Sequence, residues 1–246
     1  MLYQVQNNFS KILLLTLILF LTPEVARSQG LEWKLAQKPD YVPVATSPRE
    51  QLIEVAQHYK IPMGIEWINK VDEKMRPSTL TAQPTVMSML QSILERVPDY
   101  SVEIKDGVVS IKSTSFAAHP QNFLNLTLPE YNISNDNVFG AEAALRGQIL
   151  RTLHPERYLR GSNGGYGYGV PRDDNFDLKK ISISGKNLSV RDVLNLIASR
   201  NGNALWIVDM IPSKRMRNEP FFAQPCLNNF CWQIIPLSGS EATGVR

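Results

Sequence analysis

The chain of 246 residues contains only two thiols, Cys226 and Cys231, separated by Leu-Asn-Asn-Phe. Two cysteines this close can ligate a metal or join as a disulfide. A zinc site needs two further ligands, and the three histidines, His58, His119 and His154, are isolated in sequence. The pair therefore reads as a local disulfide, with two partly buried free thiols as the alternative. A bridge closing so small a loop contributes only ~2 kcal/mol by loop entropy, which pins a loop without holding a fold together.

The remaining chemistry-bearing patterns are weaker. Asp173, Asp174 and Asp177 lack the spacing and the distal bidentate glutamate of a calcium loop. The run Gly161-Ser-Asn-Gly-Gly-Tyr-Gly-Tyr-Gly169 invites a phosphate-loop reading, but such a loop ends in Gly-Lys-Ser/Thr and opens a helix. This one leads into Val170-Pro171 and an acidic pair. It reads as a surface loop, and in its sharper form as a contact loop in which Tyr166 and Tyr168 supply aromatic area and the glycines adaptability. His154, beside Pro155-Glu156, reads as a capping or surface histidine. No GxSxG elbow, HExxH pair or cysteine protease signature occurs. No catalytic residue, metal ligand or cofactor-binding residue is assigned, no cofactor is expected, and the chain reads as non-enzymatic.

Charge narrows the partners. The formal charge of +3 falls closer to neutral once residues 1–28 and their Lys11, Glu24 and Arg27 are removed, and no basic stripe marks a nucleic-acid face. The densest cluster, Lys214-Arg215-Met216-Arg217, is short, is followed by Glu219 and reads as a solvated loop.

Export is written at the N-terminus. Asn8 to Lys11 lead into the apolar run from Ile12 to Thr22, Pro23 breaks it, and Ala26-Arg27-Ser28 supplies small residues for a signal peptidase. The run is about half of the ~20 residues that a membrane-crossing helix needs. The expectation is a signal peptide over 1–28 cut after Ser28, a periplasmic or secreted mature chain, and no integral membrane segment after cleavage.

The elements that follow are small and clearly punctuated. Tyr41 to Ala45 is expected as an edge strand, because Pro43 is tolerated only where no ladder donor is needed. Ser47-Pro48-Arg49-Glu50 opens a helix with a serine cap, a first-turn proline and a box glutamate, and Leu52, Val55, Ala56 and Tyr59 form its buried stripe. Strands are expected over 63–68 and 78–82. Pro84 opens a second helix carrying Val86, Met89, Leu90, Ile93, Leu94 and Val97. Tyr100 to Ile111 alternates as a hairpin about Asp106-Gly107, pairing Ile104 with Val109 and Val102 with Ile111.

Residues 113–121 read as a linker, after which the order repeats. A strand is expected from Phe123 to Leu128, a helix from an Asn137 cap to Leu153, a strand from Leu178 to Ser184, a helix begun by Ser189 with Asp192 as its box residue, and strands over Ala204 to Met210 and Trp232 to Leu237. Thr85 to Leu94 and Ser189 to Ala198 share Val86 with Val190, Leu90 with Leu194 and Ile93 with Ile197. That likeness is consistent with a duplication or with a shared amphipathic period.

On these residues, the helix after Ser47, the Pro84-Thr85-Val86 helix start and the hairpin around Asp106-Gly107, the first half resembles the small periplasmic domains at the N-terminus of secretins and TonB-dependent receptors. The resemblance covers 40–113 well and 122–237 loosely. It implies a stand-alone α+β protein of two small βαββαββ-like units, each with helices packed on a small mixed sheet. The units are expected over 40–113 and 122–237, the second with insertions at 158–172 and 211–231, followed by a flexible tail over 238–246. It further implies a module that binds an envelope protein partner through a sheet edge or loops. The competing readings are a secreted hydrolase of unfamiliar type with its site between the halves, and a glycan or cell-wall binder using exposed aromatics.

Overall fold

The computed structural model describes residues 23–68, 83–119, 122–153, 155, 179–201, 204–210, 226–227 and 230–237. The expected strand over 78–82, the Gly/Tyr loop with Tyr166 and Tyr168, most of the 211–231 insertion and the 238–246 tail lie outside these residues. The fold is α+β.

Helix α1 spans Pro23–Ala36 and so crosses the expected cleavage point, while its buried Leu31 and Leu35 lie beyond that point. Helix α2, Pro48–Tyr59, starts as its capping signal requires: the Ser47 side chain accepts the Glu50 amide, and Lys60 closes the helix in a left-handed conformation at φ 50°. Strand β1 is Met63–Ile68, and helix α3, Val86–Leu94, is capped reciprocally by Thr85 and Ser88. Strands β2, Tyr100–Lys105, and β3, Val108–Ser113, pair in the register the alternation predicts, with Ile104 opposite Val109 and Val102 opposite Ile111. The turn holds Asp106 and Gly107 at φ 55° and 74°, the double left-handed geometry of a tight hairpin.

Two expected elements take other forms. Tyr41 to Ala45 is extended but joins no sheet, because side chains of α2 satisfy its backbone first. Glu54 Oε2 accepts the amides of Val44 (2.8 Å) and Ala45 (3.3 Å), and Gln51 Nε2 donates to the Ala45 carbonyl. The stretch expected as a linker begins with the short helix α4, Thr114–Ala117, capped by Ser113, and its Phe116 is fully buried.

The second half opens with a 3-10 turn, Phe123–Asn125, where the sequence pattern suggests a strand; strand β4 follows at Thr127–Asp136. Asn137 Oδ1 accepts the amides of Phe139 and Gly140 to start helix α5, Val138–Leu153. Strand β5, Ile181–Ser189, passes directly into helix α6, Val190–Asn201, whose first turn is boxed by Ser189 and Asp192. Strands β6, Ala204–Met210, β7, Cys226–Leu227, and β8, Phe230–Pro236, complete the described chain.

Sequence periodicity suggests a separate sheet for each half, but strands from both halves share one. The six-stranded order is β2-β3-β1-β6-β8-β7, beside a two-stranded sheet of β4 and β5. The seam is the parallel pair of β1 and β6, in register from Met63 opposite Leu205 to Ile68 opposite Met210. Helices cover both faces. Met63, Ile65, Trp67, Leu205 and Ile207 face α1, α2 and α3, while Ala204, Trp206 and Val208 face α5 and α6. Strands buried on both sides are apolar over most of their length, which accounts for Ala204-Leu-Trp-Ile-Val208.

The seam is packed tightly and tied by charge. A Cβ on Gly64 would lie 2.2 Å from Trp206 Cζ2, so the indole lies against bare backbone, and its Nε1 donates to Asn195 Oδ1 at 3.0 Å. Arg49, second residue of α2, grips Asp209 of β6 with both ends of its guanidinium at 2.7 and 2.5 Å. Arg191, second residue of α6, grips the fully buried Glu66 of β1 at 2.5 and 3.0 Å and bonds Asn125 at 2.8 Å. Each helix thus places an arginine on the other half's strand.

The sequences of the two helix starts match accordingly. Ser47, Arg49, Leu52 and Ala56 correspond to Ser189, Arg191, Leu194 and Ala198. By the contact it makes across the seam, α2 stands to β1 as α6 stands to β6.

Two outcomes follow from this packing. Glu66→Ala takes the carboxylate from the partly buried Arg191, which keeps its bond to Asn125, and should cost about 3 kcal/mol in urea unfolding, whereas Glu66→Leu with Arg191→Leu should cost less than either single change. Gly64→Ala should lower stability by about 1–3 kcal/mol through overpacking against Trp206.

Candidate functional site: an open sheet edge beside a helix

The order of the large sheet leaves two edges, and they are unequal. Among the described residues β7 has two residues, while β2 has six and pairs with β3 alone. In a hairpin closed by a two-residue turn, Lys105, Glu103 and Ser101 exchange hydrogen bonds with β3, so Val102 and Ile104 turn their amides and carbonyls to the open side. No backbone partner meets these groups among the described residues. Such a row is a template for another strand.

Side chains shape a receptacle along it. Tyr100 anchors the start of the edge: its hydroxyl accepts the Ile68 amide at 2.8 Å and its ring packs on Trp67 at 4.4 Å. Beyond Tyr100, Val102 is half-buried and Ile104 is 44% exposed, so the apolar face of β2 is incompletely covered. Between β2 and the C-terminal turn of α3 runs a shallow groove of about 330 Å³ lined by Leu94, Glu95, Val97, Pro98, Tyr100 and Val102, with Gln91 and Ser101 at its margin. A strand added to β2 would direct every second side chain into this groove.

The charges that commonly guard an edge are engaged within the molecule. Glu103 pairs with Lys112 of β3, and Lys105 Nζ lies 2.9 Å from Asp192 Oδ1. Burial pushes the Asp192 carboxyl up, but hydrogen bonds from Ser189 and Lys105 outweigh it and hold the carboxyl below the ordinary aspartate range. The hydrogen bond to Asp192 raises the Lys105 ammonium in turn.

The second hollow, about 610 Å³ over β4 and β5, is lined by Asn132, Ser134, Ser182, Ser184 and Arg200 around Ile133 and Ile183. Its rim is polar, and Ile183 is buried inward, so it presents no apolar seat comparable to the β2 groove.

The residues singled out by sequence fall as follows. Cys226 and Cys231 stand directly opposite in the antiparallel pairing of β7 with β8. His58 stacks on Tyr41 at 4.4 Å with its Nε2 3.1 Å from Asp40 Oδ1, clasping the extended 41–45 segment to α2. Tyr166, Tyr168, the Asp173-Asp174 pair, His154 and Lys214 to Arg217 lie outside the described residues. Among the described residues no group of three or more His, Cys, Asp or Glu side chains could hold a metal ion, and no helix is long and apolar enough to cross a membrane. The groove itself was not foreseen. The hairpin was legible, and an Ile alternating with charged residues on one strand hinted at an edge, but the position of α3 beside it is a tertiary fact.

No family model, curated protein or solved structure matches the chain.

The Asp192 box gives a pH-dependent outcome. Its folded pKa is depressed, so its contribution is present above the unfolded value near ~4 and is lost as pH falls through the lower folded value. Asp192→Asn should reduce the urea midpoint at pH 7 and flatten its acid limb; an unchanged limb would remove Asp192 from the acid response.

Proposed function

We propose that this chain is an exported, non-enzymatic protein-contact module of the bacterial envelope that binds a partner protein by strand addition at β2. The observation that carries this reading is the six-residue open edge with outward-facing Val102 and Ile104 backbone and an apolar groove beside it. The resemblance of residues 40–113 to the periplasmic domains of secretins and TonB-dependent receptors supports it, since such domains work by protein contact.

Export rests on the N-terminal pattern of a charged start, short apolar run and small-residue cleavage site. Cleavage after Ser28 is compatible with the fold in that the buried Leu31 and Leu35 of α1 lie beyond the cut and remain with the mature chain. An oxidising compartment in turn suits a Cys226–Cys231 disulfide. The two residues oppose each other one step from the Leu227–Phe230 pair, a backbone placement within the Cα separation a cross-strand bridge spans. The bridge would tie the short edge strand β7 to β8 and leave β2 as the edge that can accept a partner.

Proline tests the edge without dismantling the sheet. At 102 or 104 it removes an outward donor that no internal ladder uses, so Val102→Pro and Ile104→Pro should lower stability by less than about 2 kcal/mol. Affinity capture from an envelope extract should retain a protein partner on the wild-type chain and lose it on both proline variants, while Ile104→Val keeps it. Retention on purified cell wall with no protein recovered would overturn the reading. For the disulfide, intact mass under non-reducing conditions should show two hydrogens fewer than after reduction, and Cys226→Ser should cost ~2 kcal/mol or less.

A further inference from the structure

The groove beside β2 carries a charge pattern that specifies more than an apolar guest. Glu95 sits at the C-cap of α3, where the carbonyl ends of the helix already concentrate partial negative charge, and no basic residue occupies the last turn. A carboxylate is unfavourable there. Among the described residues it enters no ion pair. The adjacent Arg96 does not compensate it, because its guanidinium is drawn to Gln51 Oε1 of α2. Glu95 is exposed and lines the groove together with Leu94, Val97 and Val102.

We infer that the segment added to β2 is an extended peptide carrying an apolar side chain and, two residues away on the same face, a lysine or arginine. The inference rests on the strand-addition reading and deepens it. Along a strand, side chains at i and i+2 share a face about 7 Å apart, so one fills the apolar groove over Val97 and Val102 while the next reaches the helix end at Glu95. The cation meets a carboxylate and the α3 carbonyl end together, a site where an ammonium or guanidinium is favoured on both counts. The apolar guest also covers the exposed face of Ile104. The flanking edge charges do not compete for the guest, since Glu103 is held by Lys112 and Lys105 by Asp192.

The test pans a random dodecapeptide library displayed on phage against the whole mature chain, its Glu95→Lys and Glu95→Gln variants, and Val102→Pro, each checked for folding by circular dichroism. The wild type should enrich sequences with Lys or Arg two positions from an apolar residue. Glu95→Gln should lose the charge preference and Glu95→Lys should replace it with Asp or Glu. For the best peptide, exchanging its basic residue for Glu should weaken binding to the wild type about tenfold by fluorescence anisotropy and strengthen binding to Glu95→Lys. Peptides that enrich and are lost on Val102→Pro but show no charge preference overturn this inference and leave strand addition standing. Peptides unaffected by Val102→Pro place the site elsewhere and overturn both, as does failure to enrich any sequence. A dimer in light scattering that Val102→Pro dissolves would assign the edge to a second copy and overturn the peptide.

Discussion

The parallel pairing of β1 with β6 is the constraint on which the rest of the molecule depends. It joins two helix-strand units that are far apart in sequence, and it does so where both strands are buried on both faces. The bare backbone of Gly64 admits the Trp206 indole, and two bidentate arginine pairs cross the seam in opposite directions. Burying these charges is costly, so the pairs add less to net stability than their short distances suggest. A slip in the β1–β6 register would separate each carboxylate from its guanidinium.

The candidate site is placed by that seam. With β1 and β6 in the middle, the two hairpins are pushed outward and β2 becomes a terminal strand. Helices α2 and α6, which precede β1 and β6, lie on opposite faces, and α3 packs on the same side as Tyr100 and Val102. The groove between them is a by-product of this layering. Its openness is sustained because the charges on β2 are paired along the sheet and to the start of α6, where they brace the edge instead of shielding it.

The likeness between the two helix starts has a physical counterpart at the seam. Ser47-Pro-Arg-Glu and Ser189-Val-Arg-Asp each cap a helix and deliver an arginine across the seam. The matching residues are those that make the contact between the halves. The symmetry ends outside the seam, since β3 runs parallel to β1 whereas β8 runs antiparallel to β6. One side therefore ends in a six-residue strand beside a helix and the other in a two-residue strand opposite the second cysteine.

Local structure was legible in the sequence wherever neighbouring residues decide it. The Ser47 and Ser189 caps, the Asp106-Gly107 turn, the hairpin register and the stripe of α2 follow from short-range hydrogen bonding and periodicity. The residues around Phe116 and the 41–45 segment depart from their local pattern because partners distant in sequence decide them: the core of the second half takes Phe116, and Glu54 and Gln51 take the 41–45 backbone. Alternation fixes which side of a strand is apolar but not which strand lies beside it. Sequence alone thus determined the α+β class, the starts of α2, α3 and α6, and the register of the β2–β3 hairpin. Only the tertiary structure decided that two expected sheets are one, because the β1–β6 pairing, the crossed arginines and the groove at β2 arise from contacts that no local pattern encodes.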